Sequence, residues 1–181
     1  MKRKRINKRR PVKEHSLPGW QAMVLIAVAA IIIYSNIYQV PFVFDDFSSI
    51  VENHDIRGLS NFASLKKLLF SRGIVWFTFA LNYAIGVLDP FGYHLVNIMI
   101  HILAGWMAYR LALVLLRKLS SFSEPVISYL GLFSGLLFVT HPIQTQAVTY
   151  TCQRYTSMAA LFYMTAVFIY IHARAGKHSS P

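Results

Sequence analysis

Two adjacent aspartates, Asp45 and Asp46, stand five to six residues beyond an uncharged apolar run over 20–40. At head-group depth, a carboxylate can take the proton from an acceptor hydroxyl as general base while a lipid phosphate leaves. Neighbouring side chains of an extended segment point to opposite faces. One aspartate is therefore expected to face a substrate and the other to brace the loop or a metal. The plainer explanation is that both cap the loop and hold it outside the membrane. A few residues on, Glu52, Asn53, His54 and Asp55 add oxygen and imidazole groups of the kind that bind magnesium or manganese, with Glu52 and Asp55 as the metal candidates. Their spacing matches no defined metal loop, and a solvated charged turn competes with that reading.

His94, Asn97 and His101 fall at i, i+3 and i+7, on one face of a helix. Polar groups in lipid turn toward other helices, so interhelical hydrogen bonding accounts for most of this stripe. His94 lies nearest the outer surface, within reach of the aspartate loop, and His101 lies about 10 Å deeper by helix rise. A second polar run, HPIQTQAVTYTCQRYTS, starts at His141 and carries Gln153 and its sole charge, Arg154. A guanidinium holds a phosphate through paired hydrogen bonds as charge builds on a leaving group. Snorkelling to head groups is the alternative. Arg154, His94, His141 and Gln153 are thus the substrate-binding candidates.

These residues need a membrane to position them. With 55% hydrophobic residues among 181, the chain carries more apolar surface than a soluble domain of its size hides in one core. The uncharged 20–40 run spans roughly 30 Å of hydrocarbon as an uncleaved anchor. Further spans are predicted at 92–116, 126–142 and 157–172. The apolar stretch 74–88 is too short, and a fifth span would export Arg110, Arg117, Lys118, Arg174 and Lys177. It is therefore read as a helix that lies in the interface or dips back in. Residues 59–70 have the pattern of a short amphipathic helix on the membrane surface or packed in the loop.

Lys and Arg outnumber Asp and Glu 18 to 7, but eight of the basic residues crowd into positions 2–13, before the first span. Placed there, they are a topology signal and a contact for anionic lipids, not a nucleic-acid surface. The expected organisation is a cytoplasmic tail at 1–19, an outer loop at 41–91, an outer polar segment at 143–156 and a second cytoplasmic tail at 173–181. Five of the seven acidic residues fall in that outer loop, so the chemistry is expected there. The single cysteine, Cys152, makes neither an internal disulfide nor a zinc site.

The ordered set VPFVFDDFSSIVENHDIR, FTFALNYAIGVLDPFGYHLVNIMIHIL and HPIQTQAVTYTCQRYTSMAALFY resembles the N-terminal part of GT-C type membrane glycosyltransferases. In particular it resembles the transmembrane and tetratricopeptide-repeat proteins, relatives of protein O-mannosyltransferases, over about 20–172. The resemblance implies a polyprenyl-phosphate sugar donor, a protein or glycan acceptor, inversion at the anomeric carbon, and a catalytic or acceptor-binding role for Asp45 and Asp46. The family continues through further spans and helical repeats, whereas this sequence carries no repeat of about 34 residues. A truncated product, or a module that needs a membrane partner chain, is therefore expected. The alternative function is a non-catalytic multi-pass protein that binds a lipid phosphate or scaffolds a complex. The expected location is an integral membrane position with the N-terminus cytoplasmic, in a bacterial inner membrane rather than the endoplasmic reticulum.

Overall fold

The computed structural model describes residues 16–64, 69 and 72–177. The basic tail up to Lys13 and the Lys66 and Lys67 positions lie outside the described residues. Every regular element among the described residues is helical. Helix α1, Gly19–Ile33, starts after Pro18 and runs 15 residues without a charge. It stops short of the expected end at Val40, because Ser35 turns its hydroxyl onto the Ile32 carbonyl at 2.9 Å and offers the backbone a competing bond. Turns lead from there into the aspartate loop.

Within the loop lie a π-helical turn, Phe47–Val51, and two 3-10 turns, His54–Arg57 and Leu59–Phe62. The expected 59–70 amphipathic helix falls partly outside the described residues. Helix α2, Gly73–Gly86, follows. Its 14 residues are apolar but rise only about 21 Å, less than a hydrocarbon layer. Helix α3, Pro90–Leu119, begins with Pro at its first position and Asp89 as its cap, whose carboxylate accepts from Phe91 N–H at 3.1 Å. Arg117 and Lys118 occupy its last turn, where the helix dipole favours cations.

Helix α4, Glu124–Thr140, ends where His141 precedes Pro142, since a residue before proline is pushed out of the helical region. The chain bends by 48° there into Pro142–Gln144 and the short α5, Thr145–Thr149. Helix α6 runs Arg154–Lys177, beginning three residues earlier than the sequence pattern suggested. Two stretches, Pro90–Leu119 and Thr151–Arg174, are each long and apolar enough to cross a membrane, and the bent pair passes as a third. With α1 and α2 as shorter apolar helices, the chain is an all-α integral membrane protein.

Helix α3 is the spine, packed on α1, α4 and α6. Glycine makes its contact with α4 close. A β-carbon on Gly135 would stand 3.1 Å from the Gly105 carbonyl oxygen and 2.6 Å from Ile26 of α1, so three helices meet at that level. A second apolar cluster, built from Ile50, Ile56, Phe62, Phe79 and Tyr93, packs the aspartate loop onto α2 and the start of α3. Burial of that loop is what fixes the position of the aspartates.

Candidate functional site

The aspartate pair is not extended, as the sequence pattern suggested, but sits in a helical turn that runs into Phe47–Val51. Phe44, just before it, has φ 48°, a left-handed conformation that strains an aromatic residue by about 1 kcal/mol or more. Asp46 closes the turn from both sides. Its N–H donates to Val43 O at 3.0 Å, and its Oδ2 accepts from Val43 N–H at 3.1 Å. The other oxygen, Oδ1, accepts from the backbone N–H of Cys152 at 2.6 Å. Asp46 is thus buried and braces two segments that are distant in sequence.

Asp45 faces the other way. Its side chain is exposed, and among the described residues nothing donates a hydrogen bond to its carboxylate. Only its backbone is anchored: the N–H donates to the Tyr150 hydroxyl at 3.3 Å, and the carbonyl accepts from Ser48 Oγ at 3.2 Å. Desolvation raises the Tyr150 phenol above its ordinary value, opposed by the Asp45 N–H bond and reinforced by the Asp45 carboxylate, so the ring keeps its proton. The pair therefore divides into one carboxylate held by the fold and one presented to the surroundings.

Arg154 is fully buried, and its guanidinium holds the fold together instead of facing a phosphate in this structure. Its Nε donates to Asn97 Oδ1 at 2.8 Å. One terminal nitrogen donates to Asn82 Oδ1 at 2.8 Å and Thr78 Oγ1 at 3.0 Å, and the other donates to Tyr93 O at 2.9 Å. Phe79 lies under the cation, with its ring centre 4.4 Å away. No carboxylate takes part among the described residues. Four N–H groups and a π face neutralise the cost of burying the charge.

His94 is buried too, with Nε2 2.9 Å from Val40 O. A carbonyl only accepts, so Nε2 carries the proton, and Nδ1 is left as a buried acceptor without a partner among the described residues. His94 thus ties the end of the first apolar run to α3. Asn97 reaches the carbonyls of Val148, Tyr150 and Thr151, and His101 that of Val139. The stripe is a set of tethers from α3 to its neighbours.

His141 is exposed, and its Nδ1 accepts from Ile143 N–H at 3.2 Å, capping the turn after the bend. Gln153 accepts from Thr156 Oγ1 at 2.8 Å. Both side chains are thus engaged by near neighbours in sequence and not by the aspartates. Glu52 and Asp55 are exposed, and Asp55 N–H is taken up by Asn53 Oδ1 at 3.0 Å in a local turn. Among the described residues, no three of His, Cys, Asp and Glu gather to hold a metal ion. The groups that sequence reasoning passed over are Thr78, Asn82, Tyr93, Tyr150 and the Cys152 amide. An amide inside the apolar FTFALNYAIGVL stretch was the one signal for Asn82.

Fold and site together define a multi-pass helical membrane protein whose aspartate loop is latched onto a polar segment by a buried carboxylate. Similarity to known proteins narrows this further. Protein O-mannosyl-transferase Tmtc3 of Drosophila melanogaster is 31% identical over 169 residues, covering 80% of this chain and 18% of the relative. Tmtc1 of the same organism is 32% identical, covering 78% and 17%. Human protein O-mannosyl-transferase TMTC4 is 29% identical, covering 91% and 25%. The chain is related to the transmembrane and tetratricopeptide-repeat protein O-mannosyl-transferases. It spans less than a fifth of the length of the two fly relatives. No family model matches the chain, and no solved structure matches it. The named relatives are animal proteins and so do not favour the expected bacterial inner membrane.

Proposed function

We propose that this chain is the module of a GT-C type glycosyltransferase that carries the catalytic carboxylate, acting on a polyprenyl-phosphate sugar and a protein or glycan acceptor. One observation carries the reading: Asp45 is exposed and unpaired among the described residues, while Asp46 beside it is buried and bonded at both oxygens. In this scheme Asp45 takes the proton from the acceptor hydroxyl as that oxygen attacks the anomeric carbon. The bond to the lipid phosphate breaks on the opposite face, and the configuration inverts. Asp46 acts only by holding the turn that aims Asp45.

A groove of about 380 Å³ between the start of α2 and the face of α6 gives a place for the lipid. Leu69, Val75, Met158 and Phe162 line it, and Arg72 stands at its side over the Tyr155 ring, 4.6 Å from the ring centre. An apolar trough beside a cation without a described carboxylate partner suits an isoprenoid phosphate. The activity for which the relatives are named, O-mannosyl transfer, supports mannose as the sugar. It also favours a membrane of the endoplasmic reticulum over a bacterial one. The remaining walls of a donor site would come from other helices or a membrane partner chain.

The test is transfer in cells whose own enzyme is deleted, supplied with the whole enzyme that contains this module. Asp45→Asn is expected to lower transfer by about 10²- to 10⁴-fold. Asp89→Asn, at a helix cap, is expected to leave transfer within a few-fold of normal. Full transfer by Asp45→Asn overturns the reading and favours the non-catalytic lipid-binding or scaffolding alternative.

A further inference from the structure

At the end of the bundle away from the aspartates, the start of α1, the second half of α3 and the start of α4 enclose a cavity of about 250 Å³. Gly19, Trp106, Tyr109, Arg110, Arg117 and Glu124 are among its walls. We propose that this cavity binds the phosphate of an anionic phospholipid, independently of the sugar-transfer reading.

Charge is the first reason. Arg117 and Glu124 already neutralise each other through a forked pair, with bonds of 2.9 and 3.2 Å. Arg110 is left over. Its guanidinium lies between the rings of Trp106 and Phe168, 5.6 and 5.1 Å from their centres, and makes no hydrogen bond to any described residue. All its N–H donors are therefore free for an anion, while two aromatic faces hold its plane in position.

The second reason is a hydroxyl on a buried side chain. Tyr109 is 2% exposed, its ring stacked on Trp106 at 4.9 Å, and its hydroxyl has no partner among the described residues. That hydroxyl lies 4.0 Å from where a β-carbon on Gly19 would stand, at the mouth of α1. Pro18 supplies no side-chain cap there, and the first backbone N–H of α1 to find an acceptor is that of Gln21. An aromatic O–H, a guanidinium and uncapped helical N–H groups thus converge on one space. Such donors complement a phosphate.

Depth identifies the source. Arg110 lies nine residues, about 13 Å of rise, inside the end of α3 at Leu119. Arg110 thus sits within a helix long and apolar enough to cross a membrane, where a phosphate is met on a lipid and a cation marks a binding position. A zwitterionic head group would bring its own cation against Arg110 and is disfavoured.

The purified full chain is equilibrated with phosphatidylcholine vesicles containing a minority of phosphatidylinositol, then examined for retained lipid by native mass spectrometry. Wild type is expected to retain one phosphatidylinositol. Arg110→Gln should lower retention about tenfold or more, as loss of charge-assisted hydrogen bonds predicts. Tyr109→Phe, which removes one oxygen and no packing, should lower it several-fold. Arg174→Gln, exposed and bonded to Tyr170, should leave it unchanged. Undiminished retention in Tyr109→Phe and Arg110→Gln overturns the proposal, and Tyr109→Phe alone decides it if Arg110→Gln does not fold. Displacement of the lipid by millimolar inorganic phosphate also overturns it, since the site would then serve a soluble anion.

Discussion

The carboxylate of Asp46 accepts the backbone N–H of Cys152 at 2.6 Å, across 106 residues of sequence. This bond fastens the aspartate loop to the segment that leads into α6. With it in place, Asp45 has a fixed direction although no described residue donates to its own carboxylate.

Removing that latch should be felt as stability. Asp46→Ala strands the N–H groups of Val43 and Cys152, and is expected to cost about 1–3 kcal/mol. Asp45→Ala should fall within about 0.5 kcal/mol of wild type. Thermal unfolding in detergent, followed by the loss of helix signal, separates the two. Equal losses would mean that the two carboxylates are not divided as described.

Arg154→Lys tests the cradle in α6. An ammonium on a flexible stem cannot meet Asn97, Asn82, Thr78 and the Tyr93 carbonyl from one plane. A loss of roughly 1–3 kcal/mol is expected, from acceptors left without donors. Arg57→Lys, on an exposed turn, should be nearly neutral. The same unfolding measurement checks both.

The crossing of α3 and α4 predicts an effect of a single methyl group. Gly135→Ala drives a β-carbon toward the Gly105 carbonyl, which as backbone cannot move aside, and overpacking of this kind costs about 1–3 kcal/mol. Gly58→Ala meets only side-chain atoms at 3.5 Å or more, and should stay within about 1 kcal/mol of wild type. A reversal of that order would contradict the packing.

Sidedness gives a labelling prediction. Ser48 and Ser121 are both exposed, and from the distribution of basic residues we expect them on opposite sides. Cysteines introduced there should react with an impermeant thiol reagent from opposite faces of sealed vesicles. Native Cys152 is buried and should stay silent until the protein is denatured. Reaction of both positions from one face would rule out the proposed arrangement.

The apolar spans were legible because hydropathy over 20 residues is a local property. Ends were less so: Ser35 and its hydroxyl cut α1 short, and the charge of Arg154 disguised the first turn of α6 as loop. The aspartates stood out by type and position, yet what distinguishes them is remote. The Cys152 amide binds the buried one, and the turn is closed by backbone bonds from Asp46 to Val43 and from Phe47 to Phe44. Spacing cannot reveal a guanidinium whose partners lie 57 to 76 residues upstream. Arg154 accordingly suggested a phosphate contact, and only the packed structure exposes its neutral acceptors.

Every acceptor around Arg154 comes from earlier in the chain: Thr78, Asn82, Tyr93 and Asn97. Synthesis runs from the N-terminus, so the receptor is complete before its cation leaves the ribosome. A charge that hydrocarbon would reject thus meets polar acceptors on α2 and α3, so seating α6 depends on those two helices being docked together. The one cation thereby joins three helices that are far apart in sequence.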